Sequence, residues 1–342
     1  MSEKRMIRCA IIGFGKMGRI RADCISRSGR GTVVGIYDVA PVENTGCKLY
    51  ASDSDAIDDP EVDAVFVCTP NDRIVPLCKA ALAAGKHVFS EKPPAKNAAG
   101  VAEVRAVEAN AGRVLMYGFN HRHHESIVKM KQIIDSGEMG KVLWMRGRYG
   151  KEVDASFFRG WRADPNLSGG GIMLDQGIHM LDLFLHLGGD FDEVHAFVSN
   201  LFWKIEGIED NVFAIFRSSR SGVCASLHST MTQWRYIFSL EVFLEGGAMI
   251  LNGLKTSSGA YGDEALSIKR NASDHNGGFA SEETIVYDTD TSWSSEIGLF
   301  FDALDGVERV RYGNSADALE LMKLIDRVYS KKSDEQSVTT GD

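Results

Sequence analysis

The sequence predicts two α/β domains: a doubly wound parallel sheet over 1–120, and a second α/β domain over 121–335 with a mainly antiparallel sheet, followed by a flexible tail at 336–342. Three observations carry this expectation. Up to Asn120, short apolar runs without alternation are separated by helical stretches, the pattern of parallel strands covered on both faces. Beyond Asn120 the grammar changes, and strands dominate from Glu193 to Tyr287. A chain of 342 residues also exceeds what one core ordinarily organises.

The elements follow in order. Ile7–Ile12 is an apolar strand, 17–28 is helical, 32–37 is β-branched and apolar, and 64–68 is a second buried run. Residues 72–84 read as a helix closed by Gly85, 87–90 as a short strand, 97–110 as a helix ending near Gly112, and 114–119 as a strand. In the second domain Glu125–Ser136 is a helix stopped by Gly137. Residues 141–149 alternate as a strand, 151–171 are irregular, and 173–187 are helical. Strands are expected at 194–201, 211–216, 223–229, 238–244 and 248–251, and helices at 293–305 and 315–329.

Composition narrows the class. With 44% hydrophobic and 25% charged residues the chain has the make-up of an ordinary globular protein. The net charge of -9 argues against a nucleic-acid partner. No stretch approaches the roughly 20 apolar residues of a membrane helix. Lys4, Arg5 and Arg8 ahead of Cys9-Ala10-Ile11-Ile12 superficially resemble a secretory leader, but the apolar run is too short. The six cysteines (Cys9, Cys24, Cys47, Cys68, Cys78 and Cys224) contain no Cys-x-x-Cys pair and read as reduced thiols of a cytoplasmic protein.

Gly13-Phe14-Gly15-Lys16-Met17-Gly18 fits G-x-G-x-x-G in the context that gives the pattern meaning, after a strand and at the start of a helix. Gly13 permits the tight turn, Gly15 lets backbone approach a pyrophosphate, and Gly18 permits close helix–strand packing. The helix N-terminus then offers free N–H groups to the phosphates. Lys16 is close enough in sequence to reach them, and equally suited to solvent. Asp38 lies 20 residues after Gly18, at the end of the next strand. A carboxylate there accepts hydrogen bonds from the ribose hydroxyls and repels a 2′-phosphate, which favours NAD over NADP. FAD, which shares the fingerprint, is a lesser rival.

Further polar residues fall at strand ends, where ligands of such sheets gather. Thr69, Pro70 and Asn71 follow the run at 64–68 and suit the nicotinamide ribose, though they are also good turn residues. Glu91 and Lys92 follow the strand at 87–90; a partly buried lysine there, its pKa lowered, would exchange a proton with a substrate hydroxyl.

In the second domain, Gly169-Gly170-Gly171 leads into a helix on which Asp175, His179 and Asp182 share one face. A carboxylate and an imidazole so placed suit proton handling near neutral pH. Metal binding by the three is a rival, but no further ligand cluster is evident, and no metal is expected. His186 reads as structural. His121-Arg122-His123-His124 reads as a solvated helix start. Trp203, His228, Trp234, Arg235 and Tyr236 suit a carbohydrate pocket, but core or interface roles fit most of them better.

The glycine turn, Glu91-Lys92-Pro93, and Gly169-Gly170-Gly171 followed by Asp175-Gln176-Gly177-Ile178-His179 together resemble the glucose–fructose oxidoreductase/inositol dehydrogenase/MocA (Gfo/Idh/MocA) family over nearly the whole chain. The resemblance implies a Rossmann domain, then an α/β domain with a large open sheet that commonly mediates dimers or tetramers. It implies catalytic roles for Lys92, Asp175 and His179, with His179 as general base, and a Lys-Pro peptide that is often cis. It also implies that Trp161 and Arg162 lie near the nicotinamide, and that Asn120 and Arg122 face cofactor or substrate. The expected activity is NAD-dependent, reversible oxidation of a secondary hydroxyl of a sugar, polyol or sugar-nucleotide derivative. The alternatives are an NAD-dependent glycosidase and a catalytically inactive, ligand-sensing regulatory protein.

Overall fold

In a computed structural model of the chain, residues 5–43, 46–256, 258–271 and 282–336 are described, the side chains of 331–336 excepted. They divide into two compact units. The first holds the chain up to Asn120 together with Ser292–Met322; the second holds His121–Thr291 and the chain from Lys323. The tail expected at 336–342 lies outside the described residues apart from Gln336, which ends the last helix.

The first unit is built on a six-stranded sheet, all parallel: β1 (Ile7–Ile12), β2 (Gly31–Tyr37), β3 (Lys48–Leu49), β4 (Ala64–Val67), β5 (His87–Glu91) and β6 (Leu115–Gly118), in the order β3-β2-β1-β4-β5-β6. Its helices are α1 (Lys16–Arg27), α2 (Asp53–Asp58), α3 (Asn71–Ala83) and α4 (Ala98–Ala111). All four residues of β4 are buried, which is why its sequence shows no alternation. Strand order reverses between β1 and β4, and such a switch point opens a crevice at the carboxyl ends of the strands. The sequence reading did not name β3 or α2. Both are too short for a period to register, and α2 starts on a local signal, the Ser52 hydroxyl accepting from the Asp55 N–H at 3.0 Å.

The second unit contains α5 (Glu125–Ser136), β7 (Val142–Glu152), α6 (Pro165–Ser168), a π-helical turn at Met173–Gly177 and α7 (Ile178–Gly188). The strands β8 (Glu193–Ser199), β9 (Asn211–Arg217), β10 (Cys224–Thr230), β11 (Thr232–Leu244), β12 (Gly247–Asn252), β13 (Glu264–Arg270) and β14 (Glu282–Tyr287) follow. With β7 they form one eight-stranded sheet in the order β14-β13-β12-β11-β7-β10-β9-β8. Every neighbouring pair is antiparallel except β7–β10. Alternation sorts the faces: in β9 Val212, Ala214 and Phe216 are buried, while Phe213, Ile215 and Arg217 point outward. α7 covers the buried face, and Gly147 lets it sit close, since a Cβ there would come 2.9 Å from Phe184.

The chain closes with α8 (Ser292–Leu304) and α9 (Ser315–Gln336). The sequence reading drew the second domain as one segment, 121–335; the structure instead groups 292–322 with the first unit. The reason is packing. Ile297, Phe300 and Phe301 of α8 join a core containing Ile25, Phe66 and Phe89, with the Phe300 ring edge-on to Phe66 and Phe89 at 5.5 Å each. An amphipathic helix carries no mark of which sheet its apolar face will cover.

Candidate active site

The glycine turn has three differently constrained glycines. Gly13 has a left-handed φ of +92°, and a Cβ there would stand 2.5 Å from the Cys68 carbonyl oxygen. A Cβ on Gly18 would collide with the Gly13 carbonyl. Gly15 differs, because a Cβ there meets nothing within 4 Å. No fold constraint demands glycine at Gly15, so the space in front of it suits a ligand. Gly15 is also the N-cap of α1 and gives it no side-chain cap, so the first N–H groups of α1 are left for an anion. Phe14 is buried beneath the Arg19 guanidinium, Met17 is half-buried and Lys16 is exposed. Asp38, just past β2, accepts from the Phe14 N–H at 2.5 Å and the Ala40 N–H at 2.8 Å, which fixes its carboxylate beside the turn.

β4 ends beside β1, and Thr69 and Asn71 follow it. Among the described residues, the buried Thr69 Oγ1 has no hydrogen-bond partner. Pro70 caps α3, again without a side-chain cap, and Asn71 is buried as the first helical residue. An orphaned hydroxyl, two uncapped helix N-termini and an open glycine at a switch point all fit a dinucleotide.

Glu91 ends β5, and its carboxylate is turned to Arg21. The Arg21 Nε donates to Glu91 Oε1 at 2.7 Å, and its Nη1 stands 2.7 Å from Glu296. Arg21 is fully buried between the rings of Phe89 and Trp293. Lys92 follows, half-buried, and is joined to Pro93 by a cis peptide. Asn120 is buried, and its Nδ2 donates to the Ser292 hydroxyl at 3.1 Å.

In the second unit, Asp175 lies in the π turn and His179 in the first turn of α7. The sequence reading expected one regular helix; the structure begins it with a π turn, a departure that recurs at functional sites. The glycines before it have particular neighbours. A Cβ on Gly170 would strike the Tyr329 hydroxyl, and one on Gly171 the Glu209 backbone. Glu209 is buried, and its carboxylate accepts from the Gly171 N–H at 2.8 Å, the Met173 N–H at 2.9 Å and the Tyr329 hydroxyl at 2.9 Å. It thus caps, from a distant part of the chain, the helix that carries Asp175 and His179. Burial raises the Glu209 pKa, against these hydrogen bonds, which lower it.

Around this helix the structure gathers Trp161, Arg162 and His121, which the sequence points to, with Lys151, Phe157, Tyr149 and Tyr261, which it does not. The Lys151 ammonium pairs with Asp175 Oδ2 and lies 4.0 Å from the Phe157 ring centroid. The Arg162 Nε approaches Asp175 Oδ1 at 3.5 Å, and its guanidinium lies over the Trp161 ring. His121 is stacked on His179, with centroids 3.8 Å apart, and its Nε2 is 3.0 Å from the Tyr149 hydroxyl. Tyr261 approaches Tyr149 and bonds to Gln176. A signal for Lys151 existed, because in β7 it falls in phase with inward-facing Gly147 and Tyr149. Glu209 and Tyr261 come from loops and left no local pattern.

Other expectations need correction. The run 121–124 is not solvated: His121, Arg122, His123 and His124 are all buried. Arg122 gives two N–H groups to Asp182 at 2.7 and 2.6 Å, which ties the third residue of the Asp175–His179 face into an ion pair. A buried guanidinium needs such a bidentate partner. His124 Nδ1 meets Glu264 at 2.8 Å. His228 stacks on Phe213 on the outward sheet face, and Trp203 joins Phe158, Phe202 and Trp234 in an aromatic group. Among the described residues no group of three or more His, Cys, Asp or Glu side chains is placed to hold a metal, and no helix is long and apolar enough to cross a membrane.

Fold and site define a dinucleotide-binding oxidoreductase. The chain belongs to the GFO/IDH/MocA family: "Oxidoreductase family, NAD-binding Rossmann fold" matches residues 7–119, and "GFO/IDH/MocA C-terminal domain" matches residues 127–250. It is 29% identical over 273 residues to myo-inositol 2-dehydrogenase of Thermotoga maritima, covering 75% of this chain and 79% of that protein. It is 32% identical over 217 residues to 1,5-anhydro-D-fructose reductase of Ensifer adhaerens, covering 63% and 64%. In fold it is similar to levoglucosan dehydrogenase in complex with NADH, with a TM-score of 0.85 at 20% identity, over 97% of this chain and 98% of that one.

Proposed function

We propose that the protein reversibly oxidises a secondary hydroxyl of a sugar, polyol or sugar derivative, using NAD. The observation that carries this reading is the pair Asp175 and His179 on successive turns of one helix, its start capped by the buried Glu209. When bound, the nicotinamide accepts the hydride. His179 takes the hydroxyl proton as general base, Asp175 orients the substrate, and Lys92 polarises the reacting oxygen. The first unit supplies the dinucleotide groups: the open Gly15, the N-terminus of α1 and Thr69. Asp38 supports NAD over NADP, because a carboxylate held by two backbone N–H groups repels a 2′-phosphate. Relatives named for myo-inositol, 1,5-anhydro-D-fructose and levoglucosan support a polyol or sugar substrate.

A homodimer or homotetramer formed through the outward sheet face completes the reading. Phe197, Phe213, Ile215 and Trp144 are exposed on that face at 63%, 50%, 57% and 39%, and apolar side chains grouped on one face support a protein–protein contact. The test is a thermal-shift titration with NAD and NADP, followed by turnover on a panel of inositols, aldoses and glycosides. Stabilisation by NAD and NADH formation with a panel member are expected.

A further inference from the structure

We propose that Lys151 is a positioning residue of this site, its ammonium holding the Asp175 carboxylate charged and aimed toward substrate. The inference rests on the reading of Asp175 as a substrate-orienting group. Lys151 is a buried lysine at 7% exposure, which a fold does not adopt without a partner. Its place is set by strand phase: β7 turns Gly147, Tyr149 and Lys151 inward, toward the helix bearing Asp175 and His179. The ammonium meets Asp175 Oδ2 on one side and the face of Phe157 on the other. Lysine has four rotatable carbons, so this two-sided clamp is what fixes the pair.

Neighbouring groups make different contacts with Asp175. Arg162 approaches the opposite oxygen, Oδ1, at 3.5 Å and is 43% exposed. Tyr149 and Tyr261 are buried phenols whose ionisation burial disfavours, with Asp175 adding to that effect, so they stay neutral and offer no compensating charge. His179 lies one turn further on, stacked on His121. Lys151 is thus a buried cation in contact with Asp175, on the oxygen opposite the one Arg162 approaches. Burial lowers the Lys151 pKa and the Asp175 charge raises it, so each ion supports the other in a site with little water.

The test compares the wild type with Lys151→Met and Lys151→Arg, and reads two quantities. One is the pH profile of kcat/KM on the best panel substrate. The other, independent of turnover, is the Asp175 carboxyl titration followed by 13C NMR. Removing the cation should move the acid limb and the Asp175 titration to higher pH by about 1–3 pH units, because a nearby opposite charge favours the carboxylate by that much. Lys151→Arg should return both toward the wild type, and NADH affinity should stay within about twofold in every variant, since the dinucleotide groups are in the first unit. If Lys151→Met does not fold, Lys151→Gln carries the same comparison. An Asp175 titration that stays put when the cation is removed overturns the proposal, whatever the rate. A wild type that turns over no polyol or sugar overturns the proposed function instead, and the NMR titration then still decides whether Lys151 governs Asp175.

Discussion

His121 lies flat against His179, with ring centroids 3.8 Å and planes 18° apart, and its far nitrogen meets the Tyr149 hydroxyl at 3.0 Å. The imidazole assigned to the proton is thus backed by a second one, itself tethered to the sheet. Replacing His121 with Ala removes that backing and lets the His179 ring turn. We expect kcat to fall by about tenfold to a hundredfold, the cost of sub-ångström misplacement at a reacting group. NADH affinity should be unchanged. His121→Phe keeps a flat ring but loses the tether, and should fall between the two; stopped-flow kinetics rank the three proteins.

The glycine turn separates fold from ligand. Gly13→Ala places a Cβ against the Cys68 carbonyl in a left-handed backbone and should cost about 1–3 kcal/mol in urea unfolding. Gly15→Ala, with open space in front, should leave the urea midpoint where it is and weaken NAD binding by at least tenfold in calorimetry. Equal stability loss in both would mean that Gly15 serves the fold alone.

A pH dependence follows from His186. Burial, then the nearby Arg122, Lys131 and His123, lower its pKa from the ordinary 6.5 to about 3. Between those values the unfolded chain takes up a proton that the folded protein refuses. The stability this histidine leaves intact above pH 6.5 is therefore lost progressively as pH falls toward about 3. His186→Gln should flatten that decline, as read from urea midpoints across the range.

The outward sheet face makes an assembly prediction. Phe213→Asp together with Ile215→Lys should turn a dimer or tetramer into monomer by light scattering, with the far-UV spectrum retained, because both side chains point away from the core. An unchanged mass would remove this face from the interface.

Much of this architecture is legible in the sequence because it rests on local rules. β1 and α5 have the bounds that their apolar runs and caps suggest, and Gly13 and Gly18 are glycines for reasons a strand-turn-helix motif makes explicit. What stayed hidden depends on distant partners. Helix α8 shows its apolar face but not which core receives it. Lys151 is hidden because the alternation that marks the strand reads only to Tyr149, which leaves Lys151 in the irregular stretch that follows, and Glu209 because a carboxylate capping a helix from another part of the chain leaves no spacing to find. The histidines at 121–124 look like a hydrated helix start, yet each is buried, with Tyr149 beside His121, Asp182 taking up Arg122 and Glu264 paired with His124. Local polarity does not report burial where partners come from elsewhere.

In the proposed reaction His179 is the proton acceptor in an NAD-linked oxidation of a sugar or polyol hydroxyl. The most direct measurement is initial-rate NADH formation across the substrate panel by the wild type and His179→Ala, with NADH affinity measured alongside. Net NADH accumulation by the wild type is expected, with a loss of about 10²–10⁴ in kcat for the variant, as on removing a general base, and NADH affinity unchanged. Wild-type turnover in the variant, or sugar released with no net NADH, would contradict it.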